Sequence, residues 1–414
     1  MRSAIVLALV GFAYAALPWP WAMVPLLVLG WLIAHAPGPG LALIALTVPF
    51  YYSRKPLDSG WLSYTEAFTI SALVWSFPRW CYLRGRWRAL DGAVLAFVLV
   101  GGAAALVAPD REGAWSALGR LILAPAGLYM LWRLLPVNRQ TAYWAAGGLV
   151  AGGMLVSVIG IAGYIGGDVV VAGRVPRLRS MYYSPNEAAL FFTRVWPMSM
   201  AFALGTAGRS RRLFSLATGV ILIALALTFS RGAWLLGMPA GLAALALTRR
   251  RWRIGPWVPG AMLLAALVAL IRGDGAALRP EVWRAAWAMW RDHPWLGVGL
   301  DGFQWVYPRY MALSAWREPL LYHPHNAVLE IGTWMGGLGL LAVIAMGWAW
   351  TRIYRHVEHD ASPALLSGLA AGWIAGLAHG MVDAFIVLPH LALWAMMALG
   401  MITVYDTSSE DEAS

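Results

Sequence analysis

The sequence predicts an all-α, polytopic transmembrane helical bundle. Apolar residues make up 60% of the chain and charged residues only 12%. The apolar residues fall into runs of about 15–23, separated by short polar breaks, and a helix of that length crosses a bilayer. Lipid offers no partner for backbone amides and carbonyls, so a helix is the expected spanning form.

Taken in order, the runs place spans at 3–17, 21–36, 39–53, 65–83, 89–108, 116–135, 142–164, 185–206, 213–229, 233–248, 255–271, 326–351, 364–382 and 388–405. Several are short, so the expectation is about 12 to 14 crossings. The organisation that follows is an N-terminal group of spans (1–164), a first polar loop (165–184), central spans (185–271), a large polar loop (272–325), C-terminal spans (326–405) and an acidic tail (406–414) expected to be disordered. The first apolar run lacks a processing site and leads at once into another span, so it reads as an uncleaved helix.

Sidedness follows from charge. Arg84, Arg86 and Arg88 cluster in one break, as do Arg209, Arg211 and Arg212, then Arg249, Arg250, Arg251 and Arg253, then Arg352 and Arg355. All fall on one side of the predicted bundle, and the positive-inside rule makes that side cytoplasmic. The two large loops then lie outside, on the external (periplasmic or extracellular) face of an inner (plasma) membrane protein. The net charge of +11 does not point to nucleic acid, because it is spread over short inter-span loops and not gathered on one soluble face. Cys81, the only cysteine, permits no internal disulfide and no cysteine-based metal site, and is read as a small buried side chain.

External loops normally carry few arginines. Here the first holds Arg174, Arg177 and Arg179, and the second holds Arg272, Arg279, Arg284, Arg291, Arg309 and Arg317. Any one of them is also explained as a solvated or headgroup-binding side chain. Several converging would form a diphosphate clamp, since guanidinium matches phosphate oxygens two at a time. Arg231, at a tight turn between two spans, could reach a lipid phosphate or simply snorkel. Trp283, Trp287 and Trp290 recur at helical spacing and suggest an interfacial amphipathic helix.

His325 opens an apolar helix, between Pro324 and Asn326. A helix N-terminus and nearby arginines both disfavour the imidazolium, so this ring is suited to act as a neutral base. His323 is expected to point elsewhere. His379 and Asp383 lie one turn apart at the end of the next span, so on a continuous helix they would share a face. No cluster shows metal-ligand spacing, and no cofactor is implied.

Four stretches resemble the O-antigen ligase and O-antigen polymerase superfamily of membrane glycosyltransferases. They are Arg179-Ser-Met-Tyr-Tyr-Ser-Pro185-Asn186, Thr228-Phe-Ser-Arg231-Gly232, Arg279-Pro-Glu-Val-Trp283 running to His293-Pro-Trp-Leu-Gly297-Val-Gly299, and His325-Asn326 followed by Gly336 and Gly339. The resemblance implies transfer of a glycan from an undecaprenyl-diphosphate carrier to an acceptor. For a ligase the acceptor is a lipid A-core sugar; for a polymerase it is another lipid-linked repeat. It also implies an essential histidine, matched by His325, and essential arginines, matched by Arg179 and Arg279, with Arg177 as an alternative to Arg179. Arg231, Arg284, Asn186, Asn326 and His379 are the supporting substrate-binding candidates. Asp301 departs from the family pattern and has no assigned role.

Expected partners are the lipid-linked glycan donor, the acceptor glycan and membrane lipid. One long and one short external loop favour a ligase over a polymerase. The competing function class is a transporter of the same lipid. No internal repeat supports it, and only Arg120 and Arg194 approach the mid-membrane ionisable groups that transport would use.

Overall fold

The computed structural model describes residues 2–57, 60–83, 87–172, 175–248, 260, 279–312, 321–357 and 363–405. The predicted span 255–271 apart from residue 260, the acidic tail, and Arg84, Arg86, Arg174, Arg249, Arg250, Arg251, Arg253, Arg272 and Arg317 lie outside the described residues.

The protein is an all-α bundle. In chain order its main helices are α1 (Arg2–Ala16), α2 (Met23–His35), α3 (Pro37–Thr47), α4 (Tyr64–Ser76), α5 (Ala89–Val107), α6 (Arg111–Leu134), α7 (Arg139–Ile165), α8 (Pro185–Gly205), α9 (Gly208–Leu227), α10 (Ala233–Thr248), α11 (Arg279–Asp292), α12 (Ala327–Val357), α13 (Pro363–Gly380) and α14 (Pro389–Ile402). Six of them, α5 to α9 and α12, are long and apolar enough to cross a membrane, and most of the others are shorter apolar helices. The protein is a multi-pass membrane protein. Among the described residues, strand is confined to two small antiparallel pairs, Arg54–Leu57 with Gly60–Ser63 and Val170–Ala172 with Val175–Arg177.

Local sequence explains the helix starts. Ser63 and Glu66 form a reciprocal capping box at α4, and Asn138 accepts from the Thr141 amide at α7. At α8, Ser184 accepts from the Glu187 amide while Pro185 occupies the first helical position, where its missing N–H costs nothing.

Large apolar side chains such as Phe12, Leu99 and Ile165 face outward, as a lipid-facing surface requires. Small residues lie between helices, because association in lipid depends on close packing more than on hydrophobicity. A methyl group on Gly148 would come within 2.3 Å of the Ala42 carbonyl oxygen of α3, and one on Gly372 within 2.8 Å of the Arg194 carbonyl oxygen of α8. Helices α8 and α13 pack closely side by side, and α12 packs on α5.

One expectation changes here. Cys81 is exposed, not buried. Arg194 is fully buried within α8, but both its terminal nitrogens are engaged by backbone, donating to the Leu190 and Phe385 carbonyls at 2.7 Å. It ties α8 to the segment after α13, so a structural role accounts for this mid-helix charge.

Candidate active site

The site is built where the start of α12, the end of α13 and the start of α11 meet. Asn326 caps α12: its Oδ1 accepts from the Val328 and Leu329 amides, each at 3.1 Å. Its Nδ2 donates to the Met381 carbonyl at 2.9 Å, which ties this helix start to the end of α13. The residue just before the cap, His325, has φ +54°, a left-handed conformation that a non-glycine side chain adopts at a cost. From this position the imidazole Nδ1 reaches Asp383 Oδ1 at 3.3 Å.

Asp383 is not on α13. That helix ends at Gly380, and Asp383 sits in the following loop, where its Oδ1 also accepts from the Ala384 amide at 2.9 Å. The predicted shared face of His379 and Asp383 therefore does not form, because the helix stops first. His379 turns instead into the bundle, with Nδ1 3.1 Å from Thr193 Oγ1 and Nε2 3.4 Å from Ser230 Oγ. Gly232 lets this ring approach: a methyl group there would lie 2.7 Å from its Cδ2.

Arg279, the first residue of α11, brings Nη2 to 3.9 Å from Asp383 Oδ2. Thus one carboxylate faces a histidine with one oxygen and an arginine with the other. Burial alone would raise the Asp383 carboxyl. The His325 hydrogen bond and the His323 imidazole outweigh it and hold the group below the usual carboxylate range.

His323 does not point elsewhere. Its ring centroid is 4.2 Å from that of His325, and its Nδ1 lies 3.2 Å from Glu330 Oε1. Glu330 is fully buried one turn into α12, and its other oxygen accepts from the Phe385 amide at 3.1 Å. Burial opposes protonation of His323, but Glu330 and Asp383 outweigh it and raise the imidazole above its ordinary value. One ring nitrogen each of His323 and His325 and an Asp383 oxygen lie within 4.8 Å of one another. Sequence spacing could not show this grouping, since Asp383 arrives from a different loop.

The arginines of the first loop divide. Arg177 is buried and donates to the Thr228 carbonyl and to Asn186 Oδ1, both at 2.7 Å. It joins the Pro-Asn motif to the Ser-Arg-Gly turn, and Ser230 of that turn meets His379. Arg179, the preferred candidate, instead pairs with Asp168 at 2.8 Å where both side chains are largely solvated. Arg231 is half-buried at its turn, and Arg284 is exposed on α11.

The tryptophans of α11 also divide. Trp283 Nε1 donates to the Pro324 carbonyl at 3.0 Å, and Trp290 packs over Gly332, while Trp287 faces out. Helix α11 is therefore clamped onto the histidine-bearing segment as well as being amphipathic. Glu330 and Asp383 are the residues that sequence reasoning undervalued. The one available signal for Glu330 was a carboxylate in an otherwise apolar helix start.

Residues 216–344 match the family model described as O-antigen ligase. Over that region the chain resembles the O-antigen ligase superfamily. The region holds Arg231, Arg279, Arg284, His323, His325, Asn326 and Glu330, while Arg177, Asn186, His379 and Asp383 flank it. The chain is also similar to the O-antigen ligase of Pseudomonas aeruginosa, at 34% identity over 143 residues. That match spans 31% of this chain and 31% of the relative. This similarity supports a ligase- or polymerase-like role.

Proposed function

We propose that the protein is an O-antigen ligase-like glycosyltransferase, moving a glycan from undecaprenyl diphosphate to a hydroxyl of a lipid A-core sugar on the periplasmic face of the inner membrane. The observation that carries this reading is the His325–Asp383–Arg279 arrangement. Asp383 holds Nδ1–H of His325, which leaves the Nε2 lone pair as the base. His325 Nε2 takes the proton of the acceptor hydroxyl as its oxygen attacks the anomeric carbon. The bond from that carbon to the diphosphate oxygen breaks, and undecaprenyl diphosphate departs with the electron pair. Direct attack inverts the anomeric centre.

Arg279 meets the charge developing on the diphosphate. Arg177 with Asn186, and Arg231, would bind the donor beside it, with Arg284 nearer the outer surface. The solvated Arg179–Asp168 pair makes Arg179 the weaker of the two first-loop candidates. The activated bond arrives with the lipid, so the reaction needs neither nucleotide nor metal. Asp383 stabilises the imidazolium until water takes its proton.

The deciding experiment supplies purified protein with undecaprenyl-diphosphate oligosaccharide, a core-sugar acceptor and EDTA, and compares wild type with His325→Ala and Arg279→Ala. Transfer by wild type alone is expected, as a single added glycan. Ladders of increasing length would mean a polymerase instead. Full activity in His325→Ala would remove the base assignment.

A further inference from the structure

His323, His325 and Asp383 place three donor atoms of mixed type in one part-buried corner, with the buried Glu330 carboxylate beside His323. His323 Nδ1 and Glu330 Oε1 are both buried and, although 3.2 Å apart, make no hydrogen bond of acceptable angle. Outside hydrogen-bond geometry, this histidine–carboxylate contact leaves both atoms with unused donor or acceptor capacity. Tetrahedral zinc with bonds of 2.0–2.1 Å sets its ligand atoms about 3.3 Å apart. The separations of 3.3 Å between His325 Nδ1 and Asp383 Oδ1, and 3.2 Å between His323 Nδ1 and Glu330 Oε1, match such edges. The three candidate donors on His323, His325 and Asp383 already lie within 4.8 Å of one another.

We propose that His323, His325 and Asp383 form an inhibitory site for a divalent zinc-like cation, with Glu330 adding a second carboxylate against its charge. Imidazole with carboxylate suits Zn²⁺ or Co²⁺; Mg²⁺ and Ca²⁺ prefer all-oxygen shells. Arg279 does not occupy the position, because it faces the other oxygen of Asp383.

The inhibition follows from imidazole chemistry, and this step rests on the reading of His325 as the base. A neutral imidazole has one free lone pair. With Nδ1–H held by Asp383, that pair is on Nε2, where a substrate proton can be taken. A cation on Nδ1 uses the lone pair there and leaves the hydrogen on Nε2, so the base is lost without any change in fold.

The test uses the full chain in detergent, stripped with EDTA and then freed of it. Zn²⁺ is titrated by calorimetry, and Co²⁺ by its visible absorption. One ion per chain with a tetrahedral Co²⁺ spectrum is expected in wild type and in His356→Ala, whose histidine lies on the exposed end of α12. At least tenfold weaker binding is expected in His323→Ala, His323→Gln and Asp383→Asn, with size-exclusion profile and thermal midpoint confirming that each is folded. Absence of stoichiometric binding, or binding that survives in folded His323→Ala and Asp383→Asn alike, overturns the site. Glycan transfer is measured separately. Zn²⁺ is expected to inhibit over its binding range and EDTA to reverse it. Specific binding in a protein that shows no transfer would leave the site standing and remove the transferase reading. Specific binding with uninhibited transfer would overturn the inhibitory role.

Discussion

Asp383 and His325 stand in separate loops, yet Asp383 Oδ1 lies 3.3 Å from His325 Nδ1, and this contact joins the end of α13 to the start of α12. The carboxylate fixes both the tautomer and the direction of the ring. Replacing Asp383 by Asn keeps the shape but removes the charge that stabilises the imidazolium, and it offers either tautomer a partner. We expect Asp383→Asn to lower kcat by roughly 100- to 10,000-fold with little change in donor KM. Steady-state assays with varied donor check this. A large KM change at constant kcat would instead make Asp383 a donor-binding residue.

Much of the fold was legible in the sequence, because lipid imposes one spanning form and hydropathy marks it. His325 stands out by residue type at a helix start and Arg279 through the family resemblance, and both reach Asp383. Placement of Asp383 failed for a local reason: a periodic apolar pattern does not say that α13 stops at Gly380, and Asp383 therefore turns toward α12. Spacing cannot tell the solvated Arg179–Asp168 pair from the buried Arg177 guanidinium, so the choice between the two arginines was not legible. His323 was expected to point elsewhere, but with φ +54° at His325 the two rings lie side by side.

Asn326 acts at both ends of its amide. Its Oδ1 caps α12, and its Nδ2 reaches the Met381 carbonyl. Asn326→Asp keeps the cap and loses only the cross-link; Asn326→Ala loses both. Loss of a cap costs ~0.5–2 kcal/mol. The expected order of thermal midpoints in detergent is wild type, then Asp, then Ala, with transfer activity falling in both variants because the link also positions Asp383 beside His325. Equal midpoints for the Asp and Ala variants would mean that the cap contributes nothing.

Gly336 interrupts α12 with φ +64°, and a methyl group there would lie 2.2 Å from the Trp295 carbonyl oxygen. The kink lets the loop after α11 dock into the helix, with the Gly337 amide donating to the Pro294 carbonyl at 2.7 Å and the Val298 amide to the Thr333 carbonyl at 2.7 Å. Gly336→Ala meets both a backbone penalty and a clash with main chain that cannot rotate away. We expect at least ~2 kcal/mol of destabilisation. Faster proteolysis within 293–302, measured by mass spectrometry of limited digests, should accompany it. Unchanged protection of that segment would show that the kink does not hold the loop.

Asp301, the residue without a sequence rationale, lies in the same docked loop, half-buried and at φ +56°. Burial raises its carboxyl from 3.8 to about 6, although the Arg120 guanidinium pulls the other way; Asp110 adds to the rise. A carboxyl whose folded value is raised holds its proton more tightly when folded. Its contribution is fully present below about 3.8, declines between 3.8 and about 6, and is gone above that window. Asp301→Asn keeps the neutral form at every pH, and asparagine tolerates the left-handed backbone better than most residues. The variant should match wild type near pH 4 and exceed it by ~1–3 kcal/mol at pH 7.5, with the gap opening between those values. Thermal midpoints in detergent across that range check both sign and window. A gap that is constant with pH would mean that the substitution acts through the backbone and not through the charge, and a wild type more stable at pH 7.5 would mean that the Arg120–Asp301 attraction outweighs burial.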